Sequence, residues 1–481
     1  MSEFTPERFR QQADDALHDD TLRSALRRAT DLFGERRTAA IADIPDWEAL
    51  RERGRAIKDH VLFNLDRYLE QFEANAQRQG IRVHWARDAE EACRLIVKLA
   101  AAADAKTVVK SKSMTSEEIH LNAALEQADI NPVETDLGEW IIQLAGEVPS
   151  HIIVPAIHKT KAQIAELFTD KVGLPPTDDE KELTECARGI LRDCFATADV
   201  GISGANFCIA ETGSILLVEN EGNIRMTTSL PRVHIALAGI EKVIPAIDDL
   251  SVFLRLLPRS GTGQHLTTYQ SLLSGPRRDG DEEGPEEMHV VLLDNGRSAM
   301  LREHVTRQSL SCIRCGACLN ACPVYQQIGG HAYGSVYPGP IGAVITPQLQ
   351  GAKKAAQLPY ASSLCGACRE VCPVKIDIPE LLLHLRSCAA SNSPVPGVPD
   401  DIPSRPWGER VAFRVWAWWW SGPRRYAAAA RIGRIIMRRR WLRWLLPIGG
   451  WTASRELRPP ADRSFRELWR DSLAEGGGRD S

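Results

Sequence analysis

Two dodecamers, fifty residues apart, constrain this chain more than anything else in it: "CIRCGACLNACP" (Cys312–Pro323) and "SSLCGACREVCP" (Ser362–Pro373). They agree at Cys, at Gly-Ala-Cys and at Cys-Pro, but Cys312 in the first corresponds to Ser362 in the second. Seven cysteines therefore occupy a framework of eight positions. Clustering of this kind points to metal or redox chemistry rather than to a disulfide framework. The other five cysteines (Cys93, Cys186, Cys194, Cys208, Cys388) are scattered and read as small buried hydrophobes.

Cys312, Cys315, Cys318 and Cys322-Pro323 form C-x2-C-x2-C-x3-C-P, the spacing that ferredoxins of the bacterial type use for cubane iron–sulfur clusters. Three thiolates on a tight glycine-containing turn face one cluster, and the fourth, on the departing segment, reaches the other. By that rule the first 4Fe–4S cluster takes Cys312, Cys315, Cys318 and Cys372. The second takes Cys322, Cys365 and Cys368, with Ser362 at its open corner. That corner has several candidate solutions: water, a Ser362 alkoxide or a partner's residue on a 4Fe–4S cluster, a 3Fe–4S cluster once oxidised, Cys388 folding back, or His331 from "GGHAYG". Structural zinc is the competing metal, but it usually pairs two C-x2-C knuckles across a longer loop rather than crowding three cysteines into one turn.

The remaining chain divides by composition. Residues 1–60 are charged and predicted helical, with a break at Pro45–Trp47. Residues 61–304 alternate amphipathic helices with β-rich runs such as "KTVVKSKS", "SHIIVPA", "ADVGISGANFCIAETGSILLVENEG" and "MHVVLLDNG", the pattern of an α/β fold with a parallel sheet. "GPRRDGDEEGPEE" is expected to be a mobile loop within it. The cysteine module spans 305–390, and a Pro-rich linker follows at 391–406. The tail, 407–481, holds nine of the twelve tryptophans, and residues 401–470 contain 16 Arg against 5 acids. Such a tail suits an own-body contact, a partner or an anionic membrane face.

Overall net charge is −4 and no long basic stretch precedes the tail, so nucleic acid is not an expected partner. The polar opening predicts no secretory signal, and no uncharged run reaches the ~18–20 residues of a spanning helix. The sequence has no G-x-G-x-x-G after a strand, no Walker motif, no H-E-x-x-H and no G-x-S-x-G, so no catalytic constellation follows from spacing. Three segments are still dense in special residues. Lys110, Ser111, Lys112 and Ser113 follow a strand and could cradle an anion, or form an N-cap with solvated lysines. "ETDLGEW" (Glu134–Trp140) reads as a solvated turn. Asn206, Glu211, Thr212 and Ser214 lie among glycines, where either a ligand or ordinary turn chemistry fits.

"SKSMTSEEI", "ETDLGEWIIQLAGEVPSHIIVPAIH", "GANFCIAETGSILLVENEGN", "CIRCGACLNACPVY", "LPYASSLCGACREVCPVKIDIPELLLHLR" and "RPWGERVAFRVW" together resemble the iron–sulfur family of bacterial lactate utilization. The resemblance covers most of residues 100–470. It implies an α/β lactate-utilization domain of the sugar-isomerase/CoA-transferase-like type, followed by an α-helical two-cluster ferredoxin-like module and a helical basic tail. It also implies that a seven-cysteine ligand set is a family feature. Two sister proteins and an unidentified electron acceptor are the partners it suggests, in NAD-independent oxidation of L-lactate to pyruvate. The expected role is electron transfer within an oxidoreductase complex. The alternatives are an α/β domain that itself binds lactate or an acyl substrate near Lys110, Glu211 and Ser214, and a redox sensor. The expected location is cytoplasmic, peripheral at the inner membrane face if the tail lies on lipid.

Overall fold

The computed structural model describes residues 5–111, 113–391, 407–439 and 460–476. Lys112, most of the Pro-rich linker and tail residues 440–459 lie outside the described residues. One compact unit runs from the N-terminus to Ser404 and a second from Arg405 to Ser481.

In the first unit, strands β1 (Arg82–Ala86), β2 (Thr107–Ser111), β3 (Asn131–Glu134), β4 (Val200–Ser203), β7 (Val233–Gly239) and β10 (Glu287–Leu293) form one sheet. Its order is β1-β10-β7-β4-β2-β3, and every pairing is parallel. The "MHVVLLDNG" run thus returns to the sheet interior as expected. Its alternation explains why, His289 apart, Met288–Leu293 is apolar. Met288, Val290 and Leu292 pack with Phe72 and Ile224 on one face, whereas Val291 and Leu293 pack with Ile96 and Leu121 on the other. Strands buried on both faces lose the polar half of the usual pattern.

A second, mixed sheet departs from the simple parallel expectation. It has the order β8-β5-β6-β9, built from β5 (Phe207–Ile209), β6 (Ser214–Glu219), β8 (Val243–Ile244) and β9 (Tyr269–Leu273). The glycine-rich run folds back as the β5–β6 hairpin because Gly213, at φ +71°, turns against the backbone of helix Leu65–Arg78; a Cβ there would come within 2.1 Å of the Ala76 nitrogen. The charged N-terminus is helical, as predicted, with Asp20–Ala42 and Trp47–Phe63 separated at the proline break. These helices do not stand apart. Leu26, Trp47 and Leu50 share one core with Phe207, Phe253 and the cysteine module's Leu319, Tyr325 and Leu381.

"SHIIVPA" is not a strand. Its Ser150 is engaged by the cysteine module instead: the Tyr325 hydroxyl donates to the Ser150 carbonyl at 2.7 Å, and the Gly330 N–H donates to Ser150 Oγ at 3.1 Å. The acidic loop Gly275–Glu287 is tied at its base, where Arg277 pairs with Glu286 at 2.7 Å and its N–H meets the Pro285 carbonyl at 2.8 Å. In the second unit, helices Trp407–Trp420, Pro423–Arg438 and Phe465–Gly476 leave Trp407, Trp416, Trp418, Ile435 and Trp469 exposed. No helix among the described residues is long and apolar enough to cross a membrane.

Lys110 is buried, not solvated. Its ammonium lies 2.8 Å from Glu117 and 2.7 Å from Glu134. Burial disfavours the charge, but the two carboxylates outweigh it and hold the Lys110 pKa above its ordinary value. Lys110→Met should leave Glu134 buried with only the Asn122 amide beside it. A loss of ~3–5 kcal/mol is expected from stranding one partner of a buried pair, read as a fall in denaturant midpoint at constant m-value.

Candidate iron–sulfur centre and adjoining cavity

The two dodecamers repeat in backbone as well as in sequence. Arg314 and Leu364 have φ of +60° and +57°, and Gly316 and Gly366 have +74° and +87°. Left-handed residues at alternate positions curl each turn so that N–H groups face inward. The Arg314 N–H donates to Cys312 Sγ at 3.4 Å, and at the matching position the Leu364 N–H donates to Ser362 Oγ at 3.1 Å. Ser362 therefore holds the place of a cysteine within the turn. Farther along, the N–H groups of Tyr325 and Ile376 donate to Cys322 and Cys372 at 3.5 and 3.3 Å.

The thiols fall into two neighbourhoods. Cys318 is pushed far above its ordinary pKa by burial and then by Cys312, Cys315, Cys372 and Cys368. Cys372 is pushed up to about 11, by burial first and with Cys312 as a neighbour. Cys368 is pushed up to about 12 by burial, Cys322 and Cys365, and Cys322 is raised by burial and Cys365. Cys372 thus sits with the first turn and Cys322 with the second. Cys312, Cys315, Cys318 and Cys372 line one apolar cavity walled by Ile341, Val374 and Ile376. Bare thiolates would repel one another there, and cationic iron removes that penalty, so the residues fit iron–sulfur clusters. The first turn is covered, whereas Cys365 in the second is exposed.

Cations surround the first turn. Arg297, fully enclosed, donates to both Glu118 oxygens at 2.9 and 2.8 Å and to Glu241 at 2.7 Å. Glu241 lies 3.5 Å from Arg314, whose guanidinium stacks 4.5 Å over the Tyr337 ring, and the Tyr337 hydroxyl returns to Glu118 at 2.7 Å. Lys58 donates to the Glu241 carbonyl, and burial lowers its pKa to about 8. Arg51 donates twice to the Cys372 carbonyl, at 3.0 and 2.8 Å. Arg51 and Lys58 come from the N-terminal helices, and sequence reasoning missed them. In a helix charged on most faces, nothing marks them off from solvated residues.

The other sequence candidates separate. Ser113 caps helix Met114–Glu118. Glu134 and Asp136 are buried, not solvated: Glu134 pairs with Lys110, and Asp136 caps helix Leu137–Ala145 through the N–H groups of Gly138 and Glu139. A solvated turn is excluded because both carboxylates have fixed partners. Glu211 accepts from the Ile247 N–H at 2.9 Å, Thr212 from the Ser214 N–H at 3.3 Å, and Ser214 bonds Ser274 at 2.9 Å, all ordinary turn chemistry. Lys110, Glu211 and Ser214 each have partners of their own. Ser111 is buried in β2. His331 is bonded to the Val148 carbonyl at 2.7 Å and packs on His158, and Cys388 faces His384 at 3.7 Å.

A different cavity, of about 180 Å³, lies beyond the C-terminal ends of β2, β4 and β7. Asn206, Glu139, Lys242, Tyr337, Arg314 and Cys315 line it, so it touches both the α/β domain and the first cysteine turn. Trp140 belongs instead to the core of helix Leu137–Ala145, against Phe168.

The covering of the two turns predicts an asymmetry. A Cβ at Gly316 would meet His151 at 3.1 Å and Ile153 at 3.3 Å, but one at Gly366 meets nothing within 4 Å. Gly366→Ala should cost ~1 kcal/mol for its left-handed backbone alone. Gly316→Ala should cost more and lower the visible cluster absorbance per chain.

Comparison with known proteins agrees with this division. Residues 69–293 match the LUD domain, 308–376 the 4Fe-4S dicluster domain, and 385–473 the family described as Lactate utilisation protein B, C-terminal. Lactate utilization protein B of Oceanobacillus iheyensis is 42% identical over 467 residues, covering 96% of this chain and 95% of that one. The proteins of the same name from Shouchella clausii and Bacillus cytotoxicus are 41% and 40% identical, each covering 97% of this chain and 98% of their own. A crystal structure of a DUF162 family protein from Deinococcus radiodurans, 14% identical, covers 48% of this chain and 98% of its own with a TM-score of 0.26. At 40–42% identity over nearly the whole length of these relatives, the chain belongs to the lactate utilization protein B family.

Proposed function

We propose that the protein is the iron–sulfur electron-transfer subunit of an NAD-independent system oxidising L-lactate to pyruvate. The observation that carries this reading is the crossing of the cysteines, with Cys372 joining Cys312, Cys315 and Cys318 around one cavity. Two 4Fe–4S clusters, when bound, supply one-electron transfer, which a two-electron oxidation needs in pairs. Cys312, Cys315, Cys318 and Cys372 hold the first; Cys322, Cys365 and Cys368 hold the second, with Ser362 at its open corner. Neighbouring cations favour added negative charge at the first position, and the exposed Cys365 offers the second to a partner. The names of the relatives support lactate as the system's substrate. The sister lactate-utilization proteins and an acceptor are the proposed partners, in the cytoplasm.

Anaerobically purified protein should contain about two clusters and roughly seven to eight irons per chain. Stoichiometric zinc without charge-transfer absorption would sink the reading. In the same preparation Cys322→Ala should damage the second cluster and Cys372→Ala the first. Each mutation removing only the cluster nearest in sequence would show the pairing to be wrong.

Serine is a poor iron ligand beside thiolate because its hydroxyl gives up a proton far less readily. On mild oxidation the second cluster should therefore lose one iron and give a 3Fe–4S EPR signal. Ser362→Cys should suppress that signal, since Ser362 Oγ already accepts the N–H that a cysteine sulfur accepts in the first turn. Equal signals in both proteins would place another group at the corner.

The tail's exposed tryptophans and arginines support a docking role toward a sister subunit, with a membrane face as the competing surface. Deleting residues 400–481 should abolish co-purification with the sister proteins, and unchanged co-purification would remove that role.

A further inference from the structure

β2 and β4 are neighbours in the parallel sheet, yet the chain leaves them in opposite directions, toward β3 on one side and β7 on the other. That divergence opens a crevice beyond the strand ends, the place where open parallel sheets bind ligands. Here the cysteine turn closes over it. A Cβ at Gly261, on the cavity wall, would come within 2.6 Å of the Cys315 carbonyl, so the turn seats directly on helix Leu250–Gly261. The resulting cavity of about 180 Å³ is below the ~300–1,000 Å³ of drug-sized sites.

Its cations are underused. Lys242 lines the cavity, and among the described residues no hydrogen bond or ion pair holds its ammonium. Arg314 lies 3.5 Å from Glu241 through one nitrogen, while its buried Nη1 has no hydrogen-bond partner. An unsatisfied buried donor next to a second cation is costly, and an anion answering both relieves it. Asn206 spends its carbonyl oxygen on the Val218 N–H at 2.9 Å, which leaves its amide nitrogen for a ligand. Glu139 also lines the cavity, its carboxyl pushed well above its ordinary pKa by burial, Asp136 and Glu134. Asp136, Glu139 and Glu219 are the acids in the lining, and three of them disfavour a phosphate dianion and suit a monoanion that carries its own hydroxyl or carbonyl.

We propose that this cavity binds a small 2-hydroxy- or 2-oxo-carboxylate, with its carboxylate on Lys242 and Arg314 and its C2 oxygen toward Asn206 and Glu139. The proposal rests on the lactate reading above and brings the ligand to Cys315, at the first cluster's turn. Isothermal titration of the anaerobic, cluster-loaded full chain with L-lactate, pyruvate, propionate and inorganic phosphate tests it. Lactate or pyruvate should bind at least tenfold more tightly than propionate or phosphate. Lys242→Met should weaken that binding at least tenfold while iron content and the EPR spectrum of the unliganded protein stay as in wild type. Asn206→Asp, which keeps the acceptor for Val218 and adds a repelling charge, should do the same. Equal affinity for phosphate, full binding by Lys242→Met and Asn206→Asp, or no binding by a chain with intact cluster signals would each overturn the site, the last leaving the electron-transfer reading standing. A chain that binds lactate but holds no cluster would overturn the electron-transfer reading and leave the site.

Discussion

Arg297 spans two carboxylates while almost wholly excluded from water, and the molecule's functional end is arranged around it. Glu118 follows β2, Glu241 follows β7, and Arg297 itself opens the helix after β10. Three strand ends are thus tied at one point, and Glu241 passes the connection to Arg314 in the cysteine turn. A buried ion pair is a poor source of net stability, but breaking one is expensive, which makes it an effective way to fix register between parts. The network also has more positive than negative members, since Glu118 and Glu241 face Arg297 and Arg314, and Lys58 sits on the Glu241 carbonyl. An excess of that sign, deep in the protein, favours the reduced form of any cluster held by Cys312.

Backbone conformation is the other constraint. Arg314 and Leu364 carry side chains in a left-handed region that usually belongs to glycine. The turn holds them there, and what it gains is a concave row of N–H donors. The donors work on sulfur in the first turn and on a serine oxygen in the second, so serine in the place of cysteine leaves the loop unchanged.

Much of this was legible in the sequence, but unevenly. Cysteine spacing is rigid because few turn shapes present three sulfurs to one cluster, and the grouping of Cys372 with the first turn follows that rule. The parallel sheet was legible because doubly buried strands such as "MHVVLL" have no polar alternation. "SHIIVPA" looked like a strand for the same reason, yet its apolar residues cover the cysteine turn, and the Ser150 carbonyl and hydroxyl serve Tyr325 and Gly330. Lys110 and Glu134 looked solvated because charge usually is, and each is buried only because the other is present. Lys242 and Arg314 gave no local signal at all. Their meaning depends on two segments, far apart in sequence, closing one cavity.

The hydrogen bonds from Arg51 to the Cys372 carbonyl join residues 321 positions apart. At a synthesis rate of ~5–20 residues per second, roughly 15–65 s pass between the emergence of the first partner and that of the second. During that interval the N-terminal helices carry Leu26, Trp47 and Leu50 with no cysteine module to cover them. Growing chains of this architecture thus expose an incomplete apolar seat until late in translation. Cys372 is made after the first turn, so the four thiols that line one cavity come together only with that long-range docking step.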